Sequence, residues 1–332
     1  MLNLLKRIDR YSMLLLATVL VATLIPCRGD VAIAFHYITM LAIALLFFLH
    51  GAKLSRAAII AGMTNWRLHL LVLMITFLAF PLLGLGFHEA AKWLVAPSLA
   101  AGIVFLTLLP STVQSSIAFT SIARGNVPAA VCSASASNLL GIALTPLLVT
   151  LFTGGTGHGV SGAEVRTIAL QLLLPFVLGH LSRPITAKIV ERRKAVLSLV
   201  DRGSILLVVY TAFSAAVVEG LWSLVPAWQL LAMLALCGAM LATVMFATRF
   251  IARRLNFSKA DEIAIVFCGS KKSLASGVPM AGVLFPAAQV GAIILPLMIF
   301  HQLQLLACAA IAQRYANREP DPDEIADAAL AS

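Results

Sequence analysis

About ten apolar stretches, each long enough to cross a hydrocarbon core of about 30 Å, follow one another at 11–27, 32–50, 67–87, 98–122, 127–153, 165–185, 199–219, 226–250, 261–285 and 288–313. A water-soluble domain of this length cannot hide so much apolar surface. Hydrophobic residues make up 61% and charged residues 11% of the chain, whereas soluble domains are nearer a quarter charged. The expected solvent is a bilayer, and the expected fold class is an all-α membrane protein with ten transmembrane helices. The apolar run after Lys6, Arg7 and Arg10 superficially resembles a secretory leader. No small-residue cleavage site follows it, so it reads as the first span.

A net charge of +10 raises the question of nucleic acid, but the basic residues sit in short loops between apolar runs, which excludes that partner. With the N-terminus inside, cytoplasmic segments collect groups such as Lys53, Arg56, Arg67; Arg183, Lys188, Arg192, Arg193, Lys194, Arg202; and Arg249, Arg253, Arg254, Lys259. Only Arg28, Lys92 and Arg166 fall on the opposite side. This asymmetry follows the positive-inside rule and puts both termini in the cytoplasm, as for a protein of a bacterial inner (plasma) membrane. The acidic, Pro-containing segment 319–332 is expected to be a disordered tail. Cys27, Cys132, Cys237, Cys268 and Cys308 form no CxxC pair, and they read as small buried residues rather than metal ligands or disulfides. No cofactor is expected.

Ten spans divide into two five-helix halves, 1–155 and 156–318, and a second copy of an odd-numbered half must enter the membrane upside down. A short echo supports the division: Ser115-Ser116-Ile117-Ala118 in the fourth span matches Lys272-Ser273-Leu274-Ala275 in the ninth.

Polar residues inside these spans mark the candidate site. The fourth carries Pro110-Ser111-Thr112-Val113-Gln114-Ser115-Ser116. Proline removes a backbone donor and clashes with the preceding turn, so the helix should kink or break, and a broken polar segment belongs in a protein-lined cavity. The alternative is an ordinary proline kink healed by Ser and Thr hydroxyls. The ninth span carries Gly269-Ser270-Lys271-Lys272-Ser273. At about 1.5 Å per residue from Asp261, the lysines lie some 15 Å deep, near the midplane. Each such lysine costs at least about 2.5–3.5 kcal/mol to insert. The alternative is a loop between shorter helices, but the apolar runs 263–268 and 274–285 on either side argue against it. In the fifth span, Ser133 and Ser137 share a face with Asn138 beside them; close helix packing explains small residues there equally well. His301-Gln302-Leu303-Gln304 in the tenth span could relay protons, contact a ligand or simply pack. Asp261 and Glu262 suit the start of a helix.

Together these motifs, with Ala123-Arg124-Gly125-Asn126-Val127 and Thr145-Pro146, resemble the bile acid:sodium symporter family in its SBF-like branch. The resemblance implies an inverted repeat with a panel domain (spans 1, 2, 6, 7) and a core domain (3–5, 8–10), in which discontinuous helices 4 and 9 cross near the midplane where ions bind. Departures from the pattern weigh against sodium. Where sodium-coupled members carry a glutamate and a glutamine in span nine, this chain has Phe267 or Cys268, and Lys271. The span-four serine-asparagine pair becomes Ser115-Ser116, leaving at most a residual Na⁺ site there, and alanines 130 and 134 stand where hydroxyl ligands are expected.

The functional expectation is a secondary transporter of a small organic anion, in which a lysine ammonium replaces sodium as a tethered cation or provides proton coupling. Na⁺ and H⁺ both remain open as coupling ion. The expected ligand set is Ser111, Thr112, Gln114, Ser115, Ser116, Ser133, Ser137, Asn138, Ser270, Lys271, Lys272, Ser273, His301 and Gln302. Replacing either lysine with Met is expected to remove transport and leave the fold intact. A non-transporting binder or regulator with the same fold is the alternative. An enzyme is not expected, since no nucleophile–base or metal motif lies within the spans, and no P-loop points to an ATP-driven pump.

Overall fold

The computed structural model describes residues 10–53, 65–153 and 162–318. All regular structure among them is helical. The acidic segment 319–332 and the basic residues Lys6, Arg7 and Arg56 lie outside the described residues. Helix α1 is Arg10–Leu24, α2 Gly29–Lys53, α3 Trp66–Met74 and α4 Phe80–Ala91, the last two joined by a π-helical turn at Ile75–Ala79. There follow α5 Pro97–Thr107, α6 Gln114–Ile122, α7 Val127–Thr153, α8 Gly162–Leu181 and α9 Arg183–Arg192. The remainder is α10 Lys194–Val218, α11 Leu221–Leu224, α12 Ala227–Arg254, α13 Lys259–Gly269, α14 Leu274–Leu284 and α15 Ala287–Ala316.

Six of these rods are both long and apolar enough to cross a bilayer: Gly29–Lys53, Trp66–Ala91, Val127–Phe152, Ala195–Val218, Ala227–Arg254 and Ala287–Ala316. That is fewer than the ten expected, for identifiable reasons. Within the described residues the apolar parts of α1 and α8 run over Met13–Leu24 and Leu170–Leu181. The fourth and ninth stretches are each cut in two. Pro110 has no N–H to continue α5, and the last turn tightens through i−3 bonds, Leu108 N–H to Phe105 O and Leu109 N–H to Leu106 O. Helix α13 stops at Gly269, and α14 restarts after Ser273, whose hydroxyl accepts the Ser276 N–H.

The distribution of side chains is that of an integral membrane protein. Leu41 and Phe246 are each 72% exposed and Trp93 88%, whereas Ser116, Ser137, Lys271, Lys272 and Gln304 are fully buried. Apolar groups face outward and polar ones inward, the order a hydrocarbon solvent favours.

Helices α2 and α8 approach backbone to backbone. A Cβ on Gly51 would run into the Phe176 carbonyl, and one on Gly179 into the Phe48 carbonyl. Small residues permit such contacts in lipid. A Gly179→Leu substitution is therefore expected to destabilise the protein by about 1–3 kcal/mol through overpacking. Thermal unfolding in detergent checks this, and an unchanged midpoint would mean that the two helices can separate freely.

Candidate functional site

The two breaks meet, and each supplies what the other lacks. Freed carbonyls at the first break run from Thr107 to Ser111, and the structure accounts for every one of them. Leu108 O accepts the Thr145 hydroxyl at 2.8 Å, and Ser111 O accepts Asn138 Nδ2 at 2.6 Å. Pro110 O accepts the Ser273 N–H at 2.8 Å. Thr107 O and Leu109 O both accept the Lys272 ammonium, at 2.7 and 2.8 Å. In the other direction Ser111 Oγ donates to Cys268 O at 2.6 Å and Ser116 Oγ to Phe267 O at 2.9 Å. Buried backbone groups in a membrane must be paired, and this reciprocity meets the requirement.

Lys272 has a third carbonyl partner, Thr76 O at 2.8 Å. In the π-helical turn the Phe80 N–H bonds Ile75 O, and the next residue, Pro81, has no N–H to give. The Thr76 carbonyl is thereby deprived of its backbone donor, and the ammonium takes that place. Three carbonyls at 2.7–2.8 Å and the Phe80 ring at 4.2 Å make a cage for one positive charge. Among the described residues, no ion pair involves either lysine.

Lys271 is equally buried but has no hydrogen-bond acceptor among the described residues. Its ammonium lies 4.2 Å from the Phe119 ring centre and 5.3 Å from that of Phe267. The two lysines, alike in sequence, occupy opposite environments: one is a fully coordinated cation, the other rests on aromatic faces.

The remaining expected residues divide between the crossing and a cavity beside it. Ser137 Oγ accepts the Ser111 N–H at 3.0 Å, Ser270 Oγ donates to Val266 O at 2.6 Å, and Ser133 Oγ lies 2.6 Å from His69 Nδ1. A cavity of about 470 Å³ is lined by Thr112, Gln114, Ser115, Asn138, Ser273 and His301 of the expected set. Ser115 Oγ donates to Thr112 Oγ1 at 2.9 Å, and Asn138 Oδ1 accepts the Ser276 hydroxyl at 2.7 Å. Neither lysine lines this cavity. Gln302 takes part neither in the cavity wall nor in the described hydrogen bonds of the crossing.

Its neighbour Gln304 does. Gln304 Oε1 accepts the Lys272 N–H and Nε2 donates to Lys272 O, both at 3.0 Å, while Nε2 also lies 2.9 Å from His301 Nδ1. Gln304→Leu would strand a buried N–H and a buried C=O, each worth about 1–3 kcal/mol. A loss of at least about 2 kcal/mol in chemical denaturation is expected; a loss no larger than a surface substitution gives would show that water replaces the amide. Sequence reasoning named Gln304 in its motif but placed the role on Gln302. It missed Thr76 and Thr107, which act through backbone carbonyls that no side-chain pattern reveals.

The motif around Asn126 holds the ends of the broken rods. Asn126 Oδ1 caps α7 by accepting the Ala129 N–H, and Nδ2 donates to Asp261 at the start of α13. Glu262 is buried and gathers Lys259, Arg253 and the Tyr315 hydroxyl at 2.8–3.0 Å.

A match at the level of sequence extends over nearly the whole chain: the model of the SBF-like CPA transporter family covers residues 9–317. The chain belongs to this family. Among similar proteins, "Uncharacterized protein PA2026" of Pseudomonas aeruginosa is 60% identical over 94% of both chains. "Putative symporter YfeH" of Escherichia coli K12 is 56% identical over 93% of both. "Sodium/bile acid cotransporter 7" of Mus musculus is 28% identical over 85% of this chain and 82% of its own. As an SBF-like family member, the chain is an integral membrane protein of a transporter family, with a lipid environment around its apolar rods.

Proposed function

We propose that the protein is a secondary active transporter that moves a small organic anion by alternating access, with the Lys272 ammonium standing where related carriers bind a sodium ion. The observation that carries this is the cage of three backbone carbonyls around Lys272 Nζ at the meeting of two broken helices. Oxygen ligands of this kind are what half-helix ends offer a bound cation in carriers. A covalently attached ammonium satisfies them permanently.

On this reading the chain comprises two inverted five-helix repeats, 1–155 and 156–318, with both termini in the cytoplasm of a bacterium and with helices 4 and 9 broken at the crossing. Spans 1, 2, 6 and 7 form the panel, the rest the core. Cargo occupies the cavity between them, against Thr112, Gln114, Ser115, Asn138, Ser273 and His301. Ser111, Ser116 and Ser137 hold the crossing together, Ser133 pairs with His69 and Ser270 bonds back to Val266, and Lys271 supplies a second buried charge. No cofactor takes part, and Ser115 and Ser116 are the place to look for any remaining Na⁺.

Thermal unfolding of the purified protein in NaCl against choline chloride tests the sodium claim. A retained site of Kd near 1 mM would add about 2.7 kcal/mol at 100 mM Na⁺; no Na⁺-specific stabilisation is expected. A clear sodium shift would overturn the tethered cation. Uptake of organic anions into liposomes, with and without Na⁺ or pH gradients, distinguishes transport from mere binding.

A further inference from the structure

We propose that the anionic group of the cargo is taken by Lys53 and Arg202 on the α2–α10 wall of the cavity, and that Asp201 is an internal counter-ion holding Lys53 until cargo arrives. The inference rests on the transport reading above and deepens it by naming the residues that meet the anionic group of the cargo.

The cavity is electrostatically lopsided. On the side of the crossing its polar lining holds no Lys, Arg, Asp or Glu side chain, and both midmembrane lysines are buried away from it. Its fixed charges, Lys53, Asp201 and Arg202, all lie on the other wall. Lys53 Nζ donates to Asp201 Oδ2. Asp201 Oδ1 is buried and has no hydrogen-bond partner among the described residues. The Arg202 guanidinium lies 5.4 Å from the Tyr11 ring centre and forms no ion pair with a carboxylate among the described residues. A planar fork without an anion, next to an ammonium held through one carboxylate oxygen, suits a bidentate oxyanion. An incoming carboxylate would exchange with Asp201 at Lys53 while Arg202 holds its other oxygen. Phe47, Phe176 and Leu305 offer the apolar surface for the rest of the molecule, and about 470 Å³ lies within the usual range for a small-molecule site.

Opposite signs of effect make the test sharp. The full chain in lipid nanodiscs is titrated with hexanoate and taurocholate, with hexyltrimethylammonium as the cationic control, and thermal stabilisation is read. Arg202→Gln and Lys53→Met are each expected to weaken the anions at least tenfold, and Asp201→Asn to strengthen them severalfold by releasing Lys53. The double variant Lys53→Met/Asp201→Asn guards against misfolding from an unpaired Asp201 and is expected to bind as weakly as Lys53→Met. Anion binding unchanged by Arg202→Gln and Lys53→Met, or weakened by Asp201→Asn, overturns the assignment and leaves the transport reading intact. Stabilisation by hexyltrimethylammonium above that by hexanoate also overturns it. Wild-type protein that neither binds these anions nor carries them into liposomes brings down the organic-anion reading itself.

Discussion

Lys272→Met is expected to destabilise the protein by about 3–5 kcal/mol, the range seen when one partner of a buried charged network is removed. Methionine fills the same volume but donates nothing. The carbonyls of Thr76, Thr107 and Leu109, which receive the ammonium at 2.7–2.8 Å, would be left buried without a donor. Each unsatisfied group costs about 1–3 kcal/mol, partly offset by no longer burying a charge. The cage thus changes the expectation drawn from sequence, that the fold would survive either lysine substitution. Chemical denaturation in mild detergent measures the loss; a midpoint equal to that of the unmodified protein would show that the three carbonyls find other donors.

Lys271→Met is expected to do the opposite, stabilising the fold by about 1–2 kcal/mol while transport falls to background. The ammonium has no hydrogen-bond acceptor among the described residues and is held by the rings of Phe119 and Phe267. Burying it costs at least about 2.5–3.5 kcal/mol, against about 0.5–2 kcal/mol recovered from the aromatic faces. An apolar side chain at that position keeps the ring contacts and removes the cost of burying the charge. A charge retained against stability is the mark of a functional group. Parallel denaturation and liposome uptake decide the matter. A variant that is more stable and equally active would leave Lys271 without a role in transport.

Features driven by the chemistry of single residues are legible in the sequence. Pro110 and the glycine-lysine segment at 269–272 announce two interruptions, because a missing donor and two charges in hydrocarbon have few structural solutions. The interruptions fall between Thr107 and Gln114 and between Gly269 and Leu274. Span lengths are legible only for uninterrupted rods such as Val127–Thr153, where the apolar run and the helix coincide. What stays hidden is whatever depends on which backbone atoms meet. The π-helical turn at Ile75–Ala79 has no hydropathy signature, and the partnership of Lys272 with Thr76 spans nearly two hundred positions. Nor does sequence distinguish two adjacent lysines: facing different ways from a non-helical segment, one finds oxygens and the other aromatic rings. The same limit explains Gln302 and Gln304, which differ by about 200° around a helix, so that only one can reach the crossing.

A cation that belongs to the chain also alters the energetics of a transport cycle. A bound sodium ion arrives from one side and leaves on the other, so its gradient can drive accumulation. On the proposed reading the Lys272 side chain stays in its cage of carbonyls and so brings no sodium gradient with it. If no proton moves instead, the net charge translocated is that of the cargo alone. A monovalent anion in a cell with an inside-negative potential of about 100 mV then feels about 2.3 kcal/mol in the outward direction, roughly a fiftyfold concentration ratio. The protein's resting tendency would be efflux, with the membrane voltage as its power supply.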